Sequence, residues 1–502
     1  MSNLVGIDLG TTYSAIARLD DTGRPEIIVN KEGENITPSI VLLESKTDVI
    51  VGTIAKSNYG VEPNIFGRFK REMGTNKEYK AHGKSFNPTS LSSFVLNKLK
   101  EDAEAIIGDI NEAVVTIPAN FANEAREATL SAAKTAGLSI NNIINEPTAA
   151  ALYYAYSSGE ELSGIYAVYD LGGGTFDVSI IRVEGSDIEV ITTDGVSKLG
   201  GDDFDDKIIE IVQKKFKKET GKDLEAEDFT KNDAEDLKKT LSSRSKAKTS
   251  FSSSGERAII EVSRKEFEDA ISTYIAQAEM TCENALDAAE LSTDDINQVI
   301  LVGGSTRMPC VQESVEKVFK QPPKTFRNPD EAVALGAALF VAYKADPSKL
   351  NPLQKKAVAK VKISEVTSKF FGLTIAKIDE ETAKRIPFNS NIIPRDEKVP
   401  CSVTKEFWTI NDGQTIIDLT VNESPTDETD PDFARKIWEG ELEVPEGRPA
   451  GQKIEVTFSY DENQVMKCLF LDVSSNKKTE IDLTVDNKGA KSEIDINDFK
   501  VE

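Results

Sequence analysis

The sequence predicts a two-lobed α/β domain assembled from two related halves, followed by a separate antiparallel β-sandwich. Three observations lead there. The stretch "GIDLGTTYS" at 6–14 reads as a strand ending in a turn, and "YDLGGGTFDVSI" at 169–180 repeats it, with Asp8 and Asp170 standing 162 residues apart. The stretches "NEPTAAALYYAY" at 145–156 and "NPDEAVALGAALFVAY" at 328–343 form a second pair, each setting Asn and Pro before a helix of small residues, 183 positions apart. Similar offsets in the same order imply one half over about 1–165 and another over about 166–345, with a cleft between them. From about residue 357 the texture changes to short runs of alternating polarity, which is the third observation.

Each half reads as strands broken by amphipathic helices. "AVVTIPANF" (113–121) predicts a buried strand ending at Pro118, and "ANEAREATLSAAKTAG" (122–137) a helix stopped by glycine. "QVILVGGSTRMPCVQESVEKVF" (298–319) repeats the plan of strand, Gly-Gly turn and helix. Between them, "DLEAEDFTKNDAEDLKKTLSSRSKAK" (223–248) has helical spacing and mixed charge, which predicts a solvated helical subdomain. In the last part "TIIDLTV" (415–421), "KIEVTFSY" (453–460) and "TEIDLTV" (479–485) alternate with the period of half-buried strands. Pro, Gly, Asn and Asp separate them, and an antiparallel sandwich is the simplest arrangement, with "ESPTDETDPDF" (423–433) as its long loop.

Composition excludes several classes. The 502 residues suffice for two to four domains, and 39% hydrophobic residues can fill several cores. A formal charge of −25 repels polyphosphate backbones, so nucleic acid is not the expected partner. "MSNLVGIDLG" has no basic n-region and runs straight into a strand pattern, so no secretory signal is expected. The apolar run "AVALGAALFVAY" is too short to span a bilayer, so no membrane partner is expected. Cys282, Cys310, Cys401 and Cys468 lie far apart without a CxxC pair, which suits a reducing compartment such as the cytoplasm and argues against zinc. His82, in "KAHGKSF", reads as an exposed loop residue.

The glycine turns carry the chemistry. Without a Cβ, consecutive glycines can approach a ligand and point their N–H groups at one spot, making a cradle for phosphate oxygens. Gly172, Gly173 and Gly174 can form one such cradle, and Gly10, Thr11 and Thr12 the other, so two opposed turns would grip a polyphosphate from both sides. Such a site needs a divalent cation, and Mg²⁺ prefers carboxylates plus its own waters, which Asp8 and Asp170 can satisfy from the strand ends. Either turn alone could be a tight connection and nothing more; two copies with matching Asp and Thr are harder to dismiss. The "GKS" at 83–85 is not a P-loop, because that pattern needs glycine at position 78 and the chain has Glu78.

Taken together, "GIDLGTTYSAIA", "VVTIPANF", "IINEPTAAAL", "DLGGGTFDVSI", "LGGDDFD", "VGGSTRMP" and "NPDEAVALGAA" resemble the seventy-kilodalton heat-shock chaperones of the DnaK type over roughly 4–343. The β region resembles them more faintly, through "IIPRDEKVP" and "INDGQT". The resemblance implies an actin-like, ribonuclease-H-like duplicated ATPase domain at 1–345, a helical end and linker at 346–367, and a β-sandwich binding extended apolar peptides at 368–502. It further implies ATP and ADP as nucleotides with Mg²⁺, unfolded polypeptides as clients, and J-domain and nucleotide-exchange proteins as co-chaperones. Asp8 and Asp170 match the family's Mg²⁺-associated carboxylates, while Thr11, Thr12, Gly172, Gly173, Gly174 and Thr175 match its phosphate-contacting turns. Lys70 matches the lysine that reaches the γ-phosphate and the attacking water, and Glu146 and Asp177 match carboxylates near that water. Gly303, Gly304, Ser305 and Arg307 match the turn at the adenosine end, with Gly201 and Asp330 also placed at the nucleotide. Pro118 and Arg126 resemble the proline and arginine that relay nucleotide state. The peptide pocket maps to Leu373, Phe407, Ile410, Ile417 and Leu419, with Ile417 at its centre and Trp408 on the opposite face; the plain alternative for these residues is sandwich core.

The chain also departs from the family pattern. Where a glutamate usually grips the ribose and adenine beside a lysine, the match falls on Ser245, Lys248 and Ser252, which implies a lowered nucleotide affinity. The loop after Gly74 looks shortened, the arginine that meets J-domains is Asn142, and the aliphatic linker reads "VKISEVT" (361–367). Glu502 falls where the family continues into a helical lid, so the resemblance is to a short member without one. A regulatory relative that binds ATP and assists other chaperones is the alternative: Asn142 and the polar linker speak for it, and Lys70, Thr175 and Glu146 against it. A sugar or acetate kinase on the same fold leaves the β domain without a purpose.

Overall fold

The computed structural model describes residues 3–159, 162–185, 187–378, 384–462, 465–483 and 494–502. The chain divides into two compact units, Met1–Ile363 with Ala490–Glu502, and Ser364–Gly489.

The first unit contains two sheets built on one plan. In one, the strand Asn3–Asp8 pairs antiparallel with Tyr13–Leu19 and parallel with Ile110–Ile117, beyond which Ile140–Asn145 is again parallel. In the other, Ser163–Leu171 pairs antiparallel with Phe176–Glu184 and parallel with Ile296–Val302, beyond which Lys324–Thr325 is parallel. The antiparallel neighbours follow tight turns at 9–12 and 172–175, whereas the parallel neighbours need crossovers, supplied by helices Asn123–Thr135 and Pro309–Phe319. The expected duplication is therefore a repeat of strand order and direction.

The two small-residue helices, Glu146–Ser157 and Ala332–Lys344, pack on each other. A Cβ on Gly336 would lie 1.8 Å from the Ala149 carbonyl oxygen, so only glycine allows the helix backbones this close. This contact explains the alanine and glycine runs seen in the sequence. No helix among the described residues is long and apolar enough to cross a membrane.

The second unit is two antiparallel four-stranded sheets sharing one core. One sheet runs Arg385–Ile393, Phe370–Ile378, Ile416–Ser424, Arg435–Glu443, and the other Cys401–Trp408, Lys453–Tyr460, Met466–Asp472, Lys477–Asp482. In "KIEVTFSY" every second residue, Ile454, Val456, Phe458 and Tyr460, is buried, as its period predicts. The acidic loop after Ser424 is tied down at Asn389, whose N–H donates to the Thr429 carbonyl at 2.7 Å and whose Nδ2 donates to the Glu428 carbonyl at 2.8 Å. The end of the "TEIDLTV" run, from Val485 back to Thr484, lies outside the described residues.

Three expectations need correction. The sandwich does not extend to 502: Lys500–Val501 pairs parallel with Asp48–Val51, and Ile496 and Phe499 enter the core of the first lobe. Segment 223–248 is not simply solvated, because its helix Lys231–Ser243 buries Ala234, Leu237 and Leu241. His82 is half-buried rather than an exposed loop residue, with Nε2 2.7 Å from the Leu43 carbonyl oxygen. The four cysteines are all free thiols.

Candidate functional site

The strand–turn repeats bring their turns face to face. A Cβ on Gly173 would lie 2.4 Å from Thr12 Cγ2, and one on Gly174 2.5 Å from Thr11 Cγ2, so any side chain there would push the halves of the unit apart. Gly172 has nothing within 4 Å of its missing Cβ; its carbonyl accepts from Ser305 Oγ at 2.8 Å and from the Gly201 N–H at 3.0 Å. Between the turns lies a cavity of about 340 Å³. Its walls include Asp8, Gly10, Thr11, Thr12, Lys70 and Glu146 from the first half. From the second half come Asp170, Gly172, Gly173, Gly174, Thr175 and Gly201, with Gly303, Gly304, Ser305, Arg307 and Asp330 at the far end. Arg307 Nη2 pairs with Asp330 Oδ2 at 2.9 Å there, and Gly304 is bare because a Cβ would meet Asp330 Oδ1 at 2.6 Å.

Charge at the cavity floor is unbalanced. Burial, then the Glu146 carboxylate, pushes Asp8 up to about 7. Asp170 is held well above the usual carboxylate range by burial, followed by Glu146, Asp177 and Asp8. Asp177, behind the wall, is pushed up to about 7 by burial and then Glu146, while the Asn120 N–H donates to its Oδ1 at 3.3 Å. Lys70 opposes all three shifts; it is 4% exposed, with Nζ 2.6 Å from Glu146 Oε1. Among the described residues no group of three or more His, Cys, Asp or Glu side chains is placed to hold an ion. A cation that takes two carboxylates and completes its shell with water and phosphate oxygens fits this donor set.

One expected pair is absent from the cavity. Lys248 and Ser252 lie on the hairpin strand Lys246–Ser253, opposite Glu261 and Arg257. The Lys248 side chain is 65% exposed, with Nζ 3.5 Å from Glu261 Oε2, and Ser252 is exposed. The wall is instead built by helix Lys231–Ser243, through Glu235, Lys238, Lys239 and Ser242. Burial alone would raise the Glu235 carboxyl, but Lys56, 2.6 Å away, and Lys239 hold it down at about 2. Lys238 Nζ sits 2.8 Å from both the Gly201 carbonyl oxygen and Asp205 Oδ1. Glu235, Lys238 and Ser242 have the same spacing as Ser245, Lys248 and Ser252, ten residues earlier. In a helix that spacing falls on one face, which was the available signal.

The other expected groupings fare unevenly. Arg126, 3% exposed, donates from Nε to the Phe121 carbonyl at 3.1 Å and from Nη2 to the Ala119 carbonyl at 3.0 Å, clasping the turn that follows Pro118. Asn120 in that turn is the residue that reaches Asp177. In the sandwich, Leu373 and Leu419 are 4% and 2% exposed and belong to the core, which is the plain alternative for these positions. Phe407 and Ile417 are half-buried against the same core, whereas Ile410 is 41% and Trp408 56% exposed.

Comparison with known proteins agrees with this architecture over nearly the whole chain. The family model described as "Hsp70 protein" matches residues 4–500. The protein named "Chaperone protein DnaK" from Thermotoga neapolitana is 36% identical over 511 residues, covering 98% of this chain and 82% of that one. Those of Thermotoga petrophila and Thermotoga maritima are 36% identical over 510 residues with the same coverage. On this match across both units, the chain belongs to the Hsp70 family.

Proposed function

We propose a division of labour for this DnaK-like, ATP-hydrolysing chaperone: an actin-like unit that turns over Mg²⁺-ATP in its cleft, and a sandwich that holds extended apolar segments of unfolded polypeptides. The observation that carries the first half is the pair of abutting turns, Gly10–Thr12 and Gly172–Thr175, above an excess of buried carboxylate. Two backbone cradles suit the phosphates, and Glu235, Lys238 and Ser242 suit the sugar and base end near Arg307. With Glu235 in the wall, the lowered affinity inferred from Ser245 loses its basis.

Asp8 and Asp170 would hold Mg²⁺, whose chemistry is to screen phosphate charge and polarise the reacting phosphoryl group. Hydrolysis by a positioned water needs orientation and charge neutralisation more than a strong base. Lys70 supplies positive charge at the cavity floor, while Glu146 accepts a hydrogen bond from the attacking water, Asp177 acts on it from behind the wall, and Thr175 shapes the approach. Asp177 is also where Asn120 joins the site to the Pro118–Arg126 turn, so loss of the γ-phosphate would be felt there.

For the sandwich, the exposed Ile410 and half-buried Phe407 and Ile417 support the peptide-binding role. J-domain and exchange co-chaperones in the cytoplasm complete the reading. The regulatory-relative alternative is not favoured, since the relatives reported are named chaperones. Steady-state ATP turnover with and without an unfolded peptide is the test: Mg²⁺-dependent turnover that changes with peptide is expected. No turnover, or turnover blind to every apolar peptide, refutes it.

A further inference from the structure

After the sandwich the chain returns to the first unit, where Ile494–Glu502 docks through a 3-10 turn at Ile496–Asp498 and the added strand Lys500–Val501. The Lys500 N–H donates to the Thr47 carbonyl at 2.7 Å, the Glu502 N–H to Val49 at 2.8 Å, and the Val51 N–H to the Glu502 carbonyl at 2.8 Å. Strand edges accept extended segments in this way, with side-chain pockets supplying selectivity. Here the pocket holds Phe499, 9% exposed, with ring centroids 5.2 Å from Phe94 and 6.0 Å from Phe86, and Lys84 Nζ 4.3 Å from its centroid. Ile496, 7% exposed, is the second anchor.

The sheet so extended runs Lys500–Val501, Asp48–Val51, Ile40–Leu43, Ile65–Gly67. Its last strand leads through Arg68 into the turn Phe69–Glu72, which carries Lys70. Phe69 shares one core with Phe86, Phe94, Ile496 and Phe499, and helix Pro88–Ile107 spans them, with Ser92 Oγ 3.4 Å from Met73 Sδ. The segment that leaves the sandwich thus completes the packing behind the turn that holds Lys70.

We propose that this edge and pocket are a peptide-docking site occupied in cis by Ile494–Glu502, and that the docked segment is a second route coupling the sandwich to Lys70. The linker, with exposed Lys362 between buried Val361 and half-buried Ile363, is the first. The coupling part rests on the ATPase reading above; the docking part does not. The segment positions Lys70 and touches no nucleotide.

The test uses three proteins: full chains with Glu502→Pro, which deletes one ladder N–H, and with Phe499→Asp, and a chain ending at Leu483 with and without synthetic peptide 494–502. Amide exchange over 48–51 is expected to quicken at least ~10-fold in each variant. ATP kcat should fall several-fold with KM nearly unchanged. The free peptide should bind the shortened chain below ~1 mM, the effective concentration of a short tether. It should restore exchange protection and kcat but not the response of turnover to an unfolded client. Unchanged exchange in both point variants overturns the docking. A client response that returns with the free peptide overturns the coupling, as does a parent without turnover, while exchange and peptide binding still report docking. Should the shortened chain not fold, Glu502→Pro decides: kcat and client response equal to the parent's despite faster exchange sink the coupling. Protection lost on dilution, with a dimer in sedimentation, would make the docking intermolecular and overturn the cis reading.

Discussion

Replacing Lys70 with alanine removes the buried cation that opposes the upward shifts of Asp8, Asp170 and Asp177 at the cavity floor. Unit charges ~4 Å apart at an effective dielectric of ~20 interact by ~4 kcal/mol. If rearranged water recovers a third of that, ~2.7 kcal/mol of transition-state stabilisation is lost, which is about 10² in rate. Ground-state affinity should change little, because most phosphate contacts are assigned to Gly10–Thr12 and Gly172–Thr175 and the lysine reaches only the γ-phosphate. Single-turnover hydrolysis alongside equilibrium ATP binding measures both: binding within ~5-fold of the parent and hydrolysis slower by ~10² or more are expected. Glu146 would be left buried without its 2.6 Å partner, so Lys70→Ala/Glu146→Gln, together with thermal melts, separates lost chemistry from lost fold. Turnover within a few-fold of the parent, in a folded protein that binds ATP, would remove Lys70 from the mechanism.

Four further outcomes follow from the same residues. Asp8 and Asp177 are raised to about 7 in the folded protein, above their unfolded value of 3.8, so the stability they contribute is full below pH 4 and lost as pH rises through 7. Added Mg²⁺ favours the charged forms, so the rise in Tm that Mg²⁺ causes should be larger at pH 8 than at pH 6; the reverse trend would refute the metal assignment. Glu235→Ala should weaken ADP binding about tenfold, or ~1.4 kcal/mol, whereas Lys248→Ala should leave it within twofold; equal effects in calorimetry would restore the hairpin to the site. Leu419→Asp, at a core position, should unfold the sandwich, while Ile417→Asp should abolish apolar-peptide binding with the fold intact by circular dichroism. ATP should change peptide affinity less than about tenfold, since the polar Lys362 and Ser364 replace two aliphatic contacts worth ~1.5–3 kcal/mol each; a hundredfold change in anisotropy-measured dissociation would contradict this.

What could be read from the sequence was chemistry carried by neighbours in the chain. "IDLGTT" and "DLGGGT" each hold a carboxylate, a turn and its hydroxyls within a few residues, so strand period and glycine alone predict the cradle. The small-residue helices were legible because close backbone approach demands alanine and glycine, as Gly336 against Ala149 illustrates.

Tertiary structure decided what depends on distant partners. The pattern of Glu235, Lys238 and Ser242 occurs again as Ser245, Lys248 and Ser252, and only the helix turns its copy onto the cavity wall; the other copy lies in a hairpin with Lys248 facing water. Leu373, Leu419, Phe407 and Ile417 all alternate toward one sandwich core, yet how deeply each is buried there is set by register and sandwich packing. The last strand is the clearest case. Nothing in "INDFKV" names its partner, because the pairing of Lys500–Val501 with Asp48–Val51 and the seating of Phe499 between Phe86 and Phe94 join residues some four hundred positions apart. Such pairings depend on burial of complementary surfaces, which local propensity does not encode.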